Sequence, residues 1–159
     1  MKRVCFSKSN GVGVFFMARR TNAQCKSYTS GKVRAQRLAL VERLRENPHP
    51  NVAKVYGVHK GRIVTRDSGQ ALHMMPNAAR VLDERRFKRD MQAALDHLHG
   101  LGLAHNDLHA RNVTWDGERF VLIDFDTLTE GEEGDDVDLL WRRVQRATGG
   151  TRLHTRKTN

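Results

Sequence analysis

Three side chains in the second half of the sequence have types and spacing that suit joint chemistry. Asp107 and Asn112 lie five residues apart in Leu103-Ala-His-Asn-Asp-Leu-His-Ala-Arg-Asn-Val113, and Asp124 follows in Leu122-Ile-Asp-Phe-Asp126. A helical pattern ends just before the first stretch and a hairpin pattern begins just after it. The two arms of that hairpin would return Asp124 to the side of Asn112. A carboxylate and an amide oxygen meeting there are hard ligands of the kind Mg²⁺ takes. A second carboxylate close by can orient a hydroxyl and accept its proton. Together these are the parts of phosphoryl transfer, where positioning and charge neutralisation supply most of the catalysis.

The elements that must position these groups can be read from periodicity and turn signals. Val4 and Phe6 alternate with polar residues, Asn10-Gly11 is a hairpin turn, and Val12, Val14 and Phe16 alternate again. A short strand is expected within 23–28. Ser30 can cap a helix with Val33, Arg37, Leu40, Val41 and Leu44 on one face, closed by Pro48 and Pro50. Strands follow at 55–58 and 63–65. Asp83 can cap the longest helix, which carries Phe87, Met91, Leu95 and Leu98 at helical spacing and is expected to end at Gly100. A hairpin turns at Asp116-Gly117. A last helix starts near Asp136 with Val137, Leu140, Trp141 and Val144. Strands and helices do not alternate regularly, so an α+β fold is expected and a doubly wound parallel sheet is not.

Composition sets outer bounds. The chain has 159 residues and a formal charge of +10, with 38% hydrophobic and 29% charged residues. This describes a globular protein with one core and a basic surface. No apolar run reaches the roughly 18–20 residues that cross a bilayer, and no apolar stretch follows the basic N-terminus as in a secretory signal. A cytoplasmic location is therefore expected. Cys5 and Cys25 read as reduced thiols. The positive charge would suit nucleic acid, but aromatic residues make up only 6% of the chain, and nucleic acid is not the expected partner.

The residues from about 36 to 141 resemble the protein kinase superfamily. The family's catalytic loop is H-R-D-L-x-x-x-N and its metal motif is D-F-G. Here the first reads His105-Asn106-Asp107-Leu108-His109-Ala110-Arg111-Asn112, and the second reads Asp124-Phe125-Asp126. His49-Pro50-Asn51-Val52 resembles the family's link from the regulatory helix to the fourth strand. Ile63-Val64-Thr65 resembles the strand leading to the adenine-binding hinge, with Arg66 and Asp67 in the hinge. The resemblance implies Asp107 as catalytic base, Asn112 and Asp124 as Mg²⁺ ligands, and His105 as a packing residue beneath the loop. It implies ATP as donor. In the N-terminal part it points to Lys26 for the phosphates, Glu42 as the acid that holds it, and Gly11-Val-Gly13 as a short glycine-rich loop.

The departures from the family pattern matter as much. Asn106 replaces the arginine that receives a phosphorylated activation loop, and only 12 residues separate Asp124 from Asp136. No A-P-E follows. The implied protein is a minimal, C-terminally truncated bilobal kinase: an antiparallel-sheet N-lobe over 1–67, a mainly helical truncated C-lobe over 68–146, and a basic disordered tail over 147–159. A protein acceptor is favoured because the N-terminal half resembles protein kinases. His109 follows Asp107 as in D-L-H small-molecule kinases, whereas Ala110-Arg111-Asn112 is similar to tyrosine kinases. The acceptor stays open between a protein and a small molecule, and a pseudokinase binding module is the further alternative. A regulatory protein partner is expected on an apolar strip formed by Leu139, Leu140, Trp141 and Val144.

Overall fold

The computed structural model describes residues 4–9, 12–17, 24–25, 35–59, 62–75, 77–78, 82–131 and 136–148. Strands β1 (Val4–Ser9) and β2 (Val12–Met17) pair antiparallel from Val4↔Met17 to Ser9↔Val12, as the alternation predicts. A two-residue strand β3 (Gln24–Cys25) adds to β2. Helix α1 (Ala35–Glu46) turns Leu40, Val41 and Leu44 inward, and Asn47 Nδ2 donates to the Arg43 carbonyl beyond its last turn. The expected Ser30 cap lies outside the described residues. Pro48 and Pro50, which donate no N–H, bar continuation of the helix. Strands β4 (Val55–His59) and β5 (Arg62–Thr65) then form an antiparallel pair with an irregularity between Val55 and Gly57.

The segment after β5 runs through β6 (Gln70–Ala71) and a single 3-10 turn at Leu72–Met74. Helix α2 (Glu84–Gly100) opens where the Asp83 carboxylate accepts the Arg85 N–H at 2.8 Å. Its inner face carries Phe87, Asp90, Met91, Ala94, Leu95 and Leu98, all buried. The helix does not stop on account of Gly100, which is still helical. The left-handed residue that ends it is Gly102, at φ +65°, whose N–H bonds the His99 carbonyl. Strands β7 (Leu103–Ala104), β8 (Val113–Trp115), β9 (Phe120–Leu122) and β10 (Thr129–Glu130) follow, and helix α3 (Val137–Ala147) starts at an Asp136 cap. The mixture of helices and small antiparallel sheets is α+β, and no helix among the described residues is long and apolar enough to cross a membrane.

One cluster of buried side chains runs from Leu40 on α1 to Val144 on α3. Phe87 sits at its centre, edge-on to Phe120 at 5.1 Å between centroids and tilted against Trp141 at 4.8 Å. Burying each such side chain is worth about 1.5–3 kcal/mol. Leu140, Trp141 and Val144 are therefore core residues. The expected apolar docking strip is absent: of its four residues only Leu139 is exposed. The amphipathic period of α3 points the other three at α2.

The order β6-β8-β9 makes a three-stranded antiparallel sheet, with Val113↔Leu122 and Trp115↔Phe120 in register. Its far edge is held by the Asn51 region: the Leu122 N–H donates to the Asn51 carbonyl at 2.8 Å and the Ala53 N–H to the Leu122 carbonyl at 2.9 Å. At the near edge, the Gly69 backbone lies so close to Trp115 that a Cβ there would fall 2.1 Å from its carbonyl oxygen. Only glycine fits, and at φ +95° only glycine is unstrained.

Candidate active site

The loop between β7 and β8 is built on His105. Its imidazole is fully buried and lies edge-on to the Phe125 ring at 5.8 Å. Nε2 lies 2.9 Å from the Ile123 carbonyl, which can only accept, so Nε2 carries the hydrogen. Nδ1 accepts the Asp107 N–H at 3.3 Å. The ring thus links the backbone just before Asp124 to the backbone of Asp107.

Asp107 is half-exposed, and both of its carboxylate oxygens meet donors. Asn112 Nδ2 donates to Oδ2 at 2.9 Å and to the Asp107 carbonyl at 2.9 Å. His109 Nε2 lies 3.2 Å from Oδ1, while His109 Nδ1 accepts the Arg111 N–H at 3.2 Å. That pairing fixes the His109 ring with its hydrogen on Nε2. Each carboxylate oxygen keeps a further lone pair for an incoming hydroxyl.

Asn112 is buried and locked in orientation. Spending Nδ2 on Asp107 leaves Oδ1 as its remaining polar face. The Ile123 N–H donates to the Asn112 carbonyl at 2.9 Å, which extends the β8–β9 ladder by one step and brings Asp124 next to Asn112. Asp124 takes φ +66°, a left-handed conformation that aspartate tolerates better than most residues but at a cost of order 1–3 kcal/mol. Its Oδ1 accepts the Asp126 N–H at 3.4 Å. The Asp126 carbonyl in turn accepts Arg37 Nη1 from α1.

Asn106 also lies at positive φ, +62°. Its amide nitrogen reaches the Ala104 carbonyl at 3.2 Å, the Thr127 carbonyl at 3.2 Å and Thr129 Oγ1 at 2.6 Å. Thr127 Oγ1 returns a bond to the His105 carbonyl at 2.7 Å. The segment after Asp126 is therefore stitched to the loop by neutral groups. By sequence Asn106 reads only as a missing arginine. Its positive φ and clamp role had no local sequence signal beyond the known tolerance of asparagine for that conformation.

None of the remaining sequence candidates among the described residues shares a described bond with Asp107, Asn112 or Asp124. Lys26 and Gly11 lie outside the described residues. Gly13 is a β2 strand residue paired with Lys8. Glu42 forms an ion pair with Arg45 of its own helix. Arg66 donates its N–H to the Lys54 carbonyl at 2.8 Å, and Asp67 Oδ1 accepts the Gly69 N–H at 3.1 Å, which shapes the turn into β6. A cavity of about 380 Å³ lined by Arg66, Lys54, His49 and Arg119, among others, touches none of Asp107, Asn112 or Asp124.

Two supporting residues were not singled out from sequence as site supports. Asp90 is buried on α2 and its Oδ2 accepts the Phe120 N–H at 3.1 Å, and Asn51 Nδ2 donates to the Phe120 carbonyl at 2.9 Å. Both grip the strand that delivers Asp124. Asp90 could have been found as an acid on the apolar face of a helix, between Phe87 and Ala94.

Among the described residues no group of three or more His, Cys, Asp or Glu side chains gathers as a metal centre. Asn112 and Asp124 offer an amide oxygen and a carboxylate, donor types that Mg²⁺ accepts. This ion commonly takes one or two protein oxygens and completes its shell with water and phosphate oxygens. Among curated proteins, none matches this chain. A sequence profile described as the phosphotransferase enzyme family (APH) matches residues 66–157, a span that contains Asp107, Asn112 and Asp124. The chain belongs to this phosphotransferase family, part of the protein kinase-like superfamily.

Proposed function

We propose that this protein transfers the γ-phosphoryl group of ATP to a hydroxyl on a protein acceptor, with Mg²⁺ as its metal. The observation that carries the reading is the orientation of Asn112. Its amide nitrogen is committed to Asp107, which leaves its oxygen as the free polar end, and its backbone carbonyl holds the N–H of Ile123, the residue before Asp124. One side chain thereby sets the base and presents a metal ligand.

In this mechanism the acceptor hydroxyl donates its hydrogen bond to the Asp107 carboxylate. His109 and Asn112 hold that carboxylate in place, so little reorganisation is needed as the proton passes to it. Asn112 Oδ1 and Asp124 would hold Mg²⁺, which supplies neutralisation of phosphate charge when bound. Lys26 would place the α- and β-phosphates beneath the hairpin that carries Gly11 and Gly13. Glu42 would hold Lys26 after exchanging its Arg45 partner, and Arg66 and Asp67 would border the adenine. The matching architecture is bilobal, with residues 1–67 as the sheet lobe, 68–146 as the lobe carrying the loop, and 147–159 as a basic tail. The cytoplasm is the compartment that supplies ATP to such an enzyme.

A small-molecule acceptor is the second reading, favoured by the His109–Asp107 contact in an Asp-Leu-His sequence. The test common to both is a thermal melt with Mg·ATP, with ATP plus chelator, and with Asp124→Asn. Ligand at a hundred times its Kd stabilises by about 2.7 kcal/mol, which for a chain of this size is a rise of roughly 5–10 °C. The rise is expected with Mg·ATP only and should vanish in Asp124→Asn. An equal rise with chelator or in the variant would overturn the metal assignment.

A further inference from the structure

Cationic groups crowd the outer side of the Asp107 loop. The His73 N–H donates to the Ala110 carbonyl at 3.2 Å, which sets His73 across from the neighbours of Ala110 in sequence, His109 and Arg111. Arg143 on α3 caps the Leu108 carbonyl through Nη1 from behind. Residues 107–112 thus carry two protonatable or cationic side chains, His109 and Arg111, and meet two more, His73 and Arg143, while Asp107 is the one carboxylate in the segment. His73 and Arg111 are exposed, and the Arg111 guanidinium has no hydrogen-bond or ion-pair partner among the described residues. Beside His73, Met74 is 64% exposed, more than any other large apolar residue described.

We infer that the acceptor is an acidic protein segment, in which carboxylates flanking the target hydroxyl pair with Arg111 and His73 while an apolar residue covers Met74. The inference rests on the phosphotransfer reading and names its substrate class. The exposed Arg111 guanidinium with His73 beside it attracts anionic chains and steers their approach. Their exposure suits an extended segment better than an enclosed small molecule. Partial burial first, then the charges of Arg111 and His109, hold the His73 imidazole below its ordinary value. A carboxylate bound beside it would favour the charged imidazole.

The step balances without a further reactant. The acceptor hydroxyl oxygen forms a bond to the γ-phosphorus of ATP, and the bond from that phosphorus to the β,γ-bridging oxygen breaks. ADP departs with the electron pair. The hydroxyl proton passes to the Asp107 carboxylate and then to water.

The experiment uses the full chain with Mg·ATP and three short synthetic peptides. Each contains serine, threonine and tyrosine, flanked by glutamate, by glutamine or by lysine; a panel of small neutral hydroxy compounds runs alongside. Two partly screened surface charge pairs, at Arg111 and His73, predict a KM about three- to tenfold lower for the acidic peptide than for the glutamine peptide. The ratio should shrink as salt rises. In the doubly substituted Arg111→Gln, His73→Gln protein it should fall towards one. If that protein fails to fold, the salt dependence of the unsubstituted chain decides. Equal or better use of the glutamine or lysine peptide, or transfer to the small compounds alone, would overturn the inference and leave phosphotransfer intact. No transfer to any acceptor together with no Mg·ATP-induced thermal shift would overturn both.

Discussion

The buried imidazole of His105 donates from Nε2 to the carbonyl of Ile123 at 2.9 Å, across 18 positions of sequence. Its other nitrogen holds the Asp107 N–H, so the candidate base and the residue before Asp124 share one rigid ring. His105→Phe would keep the contact with Phe125 but leave a buried acceptor and a buried donor without partners. Each orphaned group costs about 1–3 kcal/mol. The expected loss of stability is about 2–5 kcal/mol by urea unfolding, with a fall in phosphotransfer at temperatures where the variant is still folded. A loss below about 1 kcal/mol would show that the ring is not a structural link.

Asn106 predicts independence from loop phosphorylation. A phosphate orders an activation segment by pairing with arginine. Here the neutral Asn106 amide ties down the segment after Asp126 through Thr127 and Thr129, and Arg43 pairs with a carboxylate already in the chain, Glu130. Phosphatase treatment should leave ATP turnover unchanged. Asn106→Gly keeps the positive φ but loses the amide bonds, whereas Asn106→Ala loses both. The alanine variant should be less stable than the glycine variant by about 1 kcal/mol, the cost of a left-handed alanine. Equal stabilities would remove φ from the argument.

A pair of stacked imidazoles makes stability depend on pH. His49, after α1, lies over His97 of α2 with ring centroids 4.7 Å apart. Burial first, and the neighbouring His97 second, hold the His49 imidazole below its ordinary value near 6.5. The unfolded chain therefore binds more protons than the native one as pH falls through that value. Stability is full above about pH 6.5 and declines as pH drops towards the lowered native value, with a slope of at most about 1.4 kcal/mol per pH unit from one such group. His73, shifted the same way, adds to the decline. Unfolding free energies measured at pH 7.5 and pH 5 should differ less in His49→Gln than in the parent. An unchanged difference would exclude His49 as a source.

Much of this structure could be read from short-range signals. The β1–β2 hairpin follows from alternation around Asn10-Gly11, and the inner face of α2 follows from the spacing of Phe87, Met91, Leu95 and Leu98. Asp83 and Asp136 cap where their side-chain chemistry says they should. The nearness of Asn112 to Asp107 is legible because both sit in one tight loop. The two-residue strands β6, β7 and β10 were not legible, since each exists only through a distant partner: Gln70 opposite Trp115, and Leu103 opposite Glu130. Gly100 and Gly102 are both plausible helix stops by type, and only the backbone shows that Gly102 takes the left-handed turn. The last helix carries apolar residues that a short chain was expected to leave exposed. Packing buries Leu140, Trp141 and Val144 and leaves Leu139 exposed, with Lys88 of α2 bridging to Asp138 at 2.7 Å.

The final prediction separates support of the site from its chemistry. Asp90 accepts the Phe120 N–H and Asn51 donates to the Phe120 carbonyl, so the edge of β9 away from β8 is held four residues before Asp124. Neither residue touches Asp107, Asn112 or Asp124 through any described bond. Asp90→Leu would fill the space with an apolar group and orphan the Phe120 N–H, at about 1–3 kcal/mol. Asp90→Asn keeps an acceptor oxygen in the same place and should recover most of that loss. Because Phe120 lies on the strand and not in the loop, the leucine variant should lose melting temperature, roughly 2–4 °C for each kcal/mol. Its KM for Mg·ATP should stay within about twofold at a temperature where it remains folded. A leucine variant as stable as the parent would show that the buried carboxylate is not needed to hold β9. A KM shifted tenfold without loss of melting temperature would move Asp90 from the scaffold into the site.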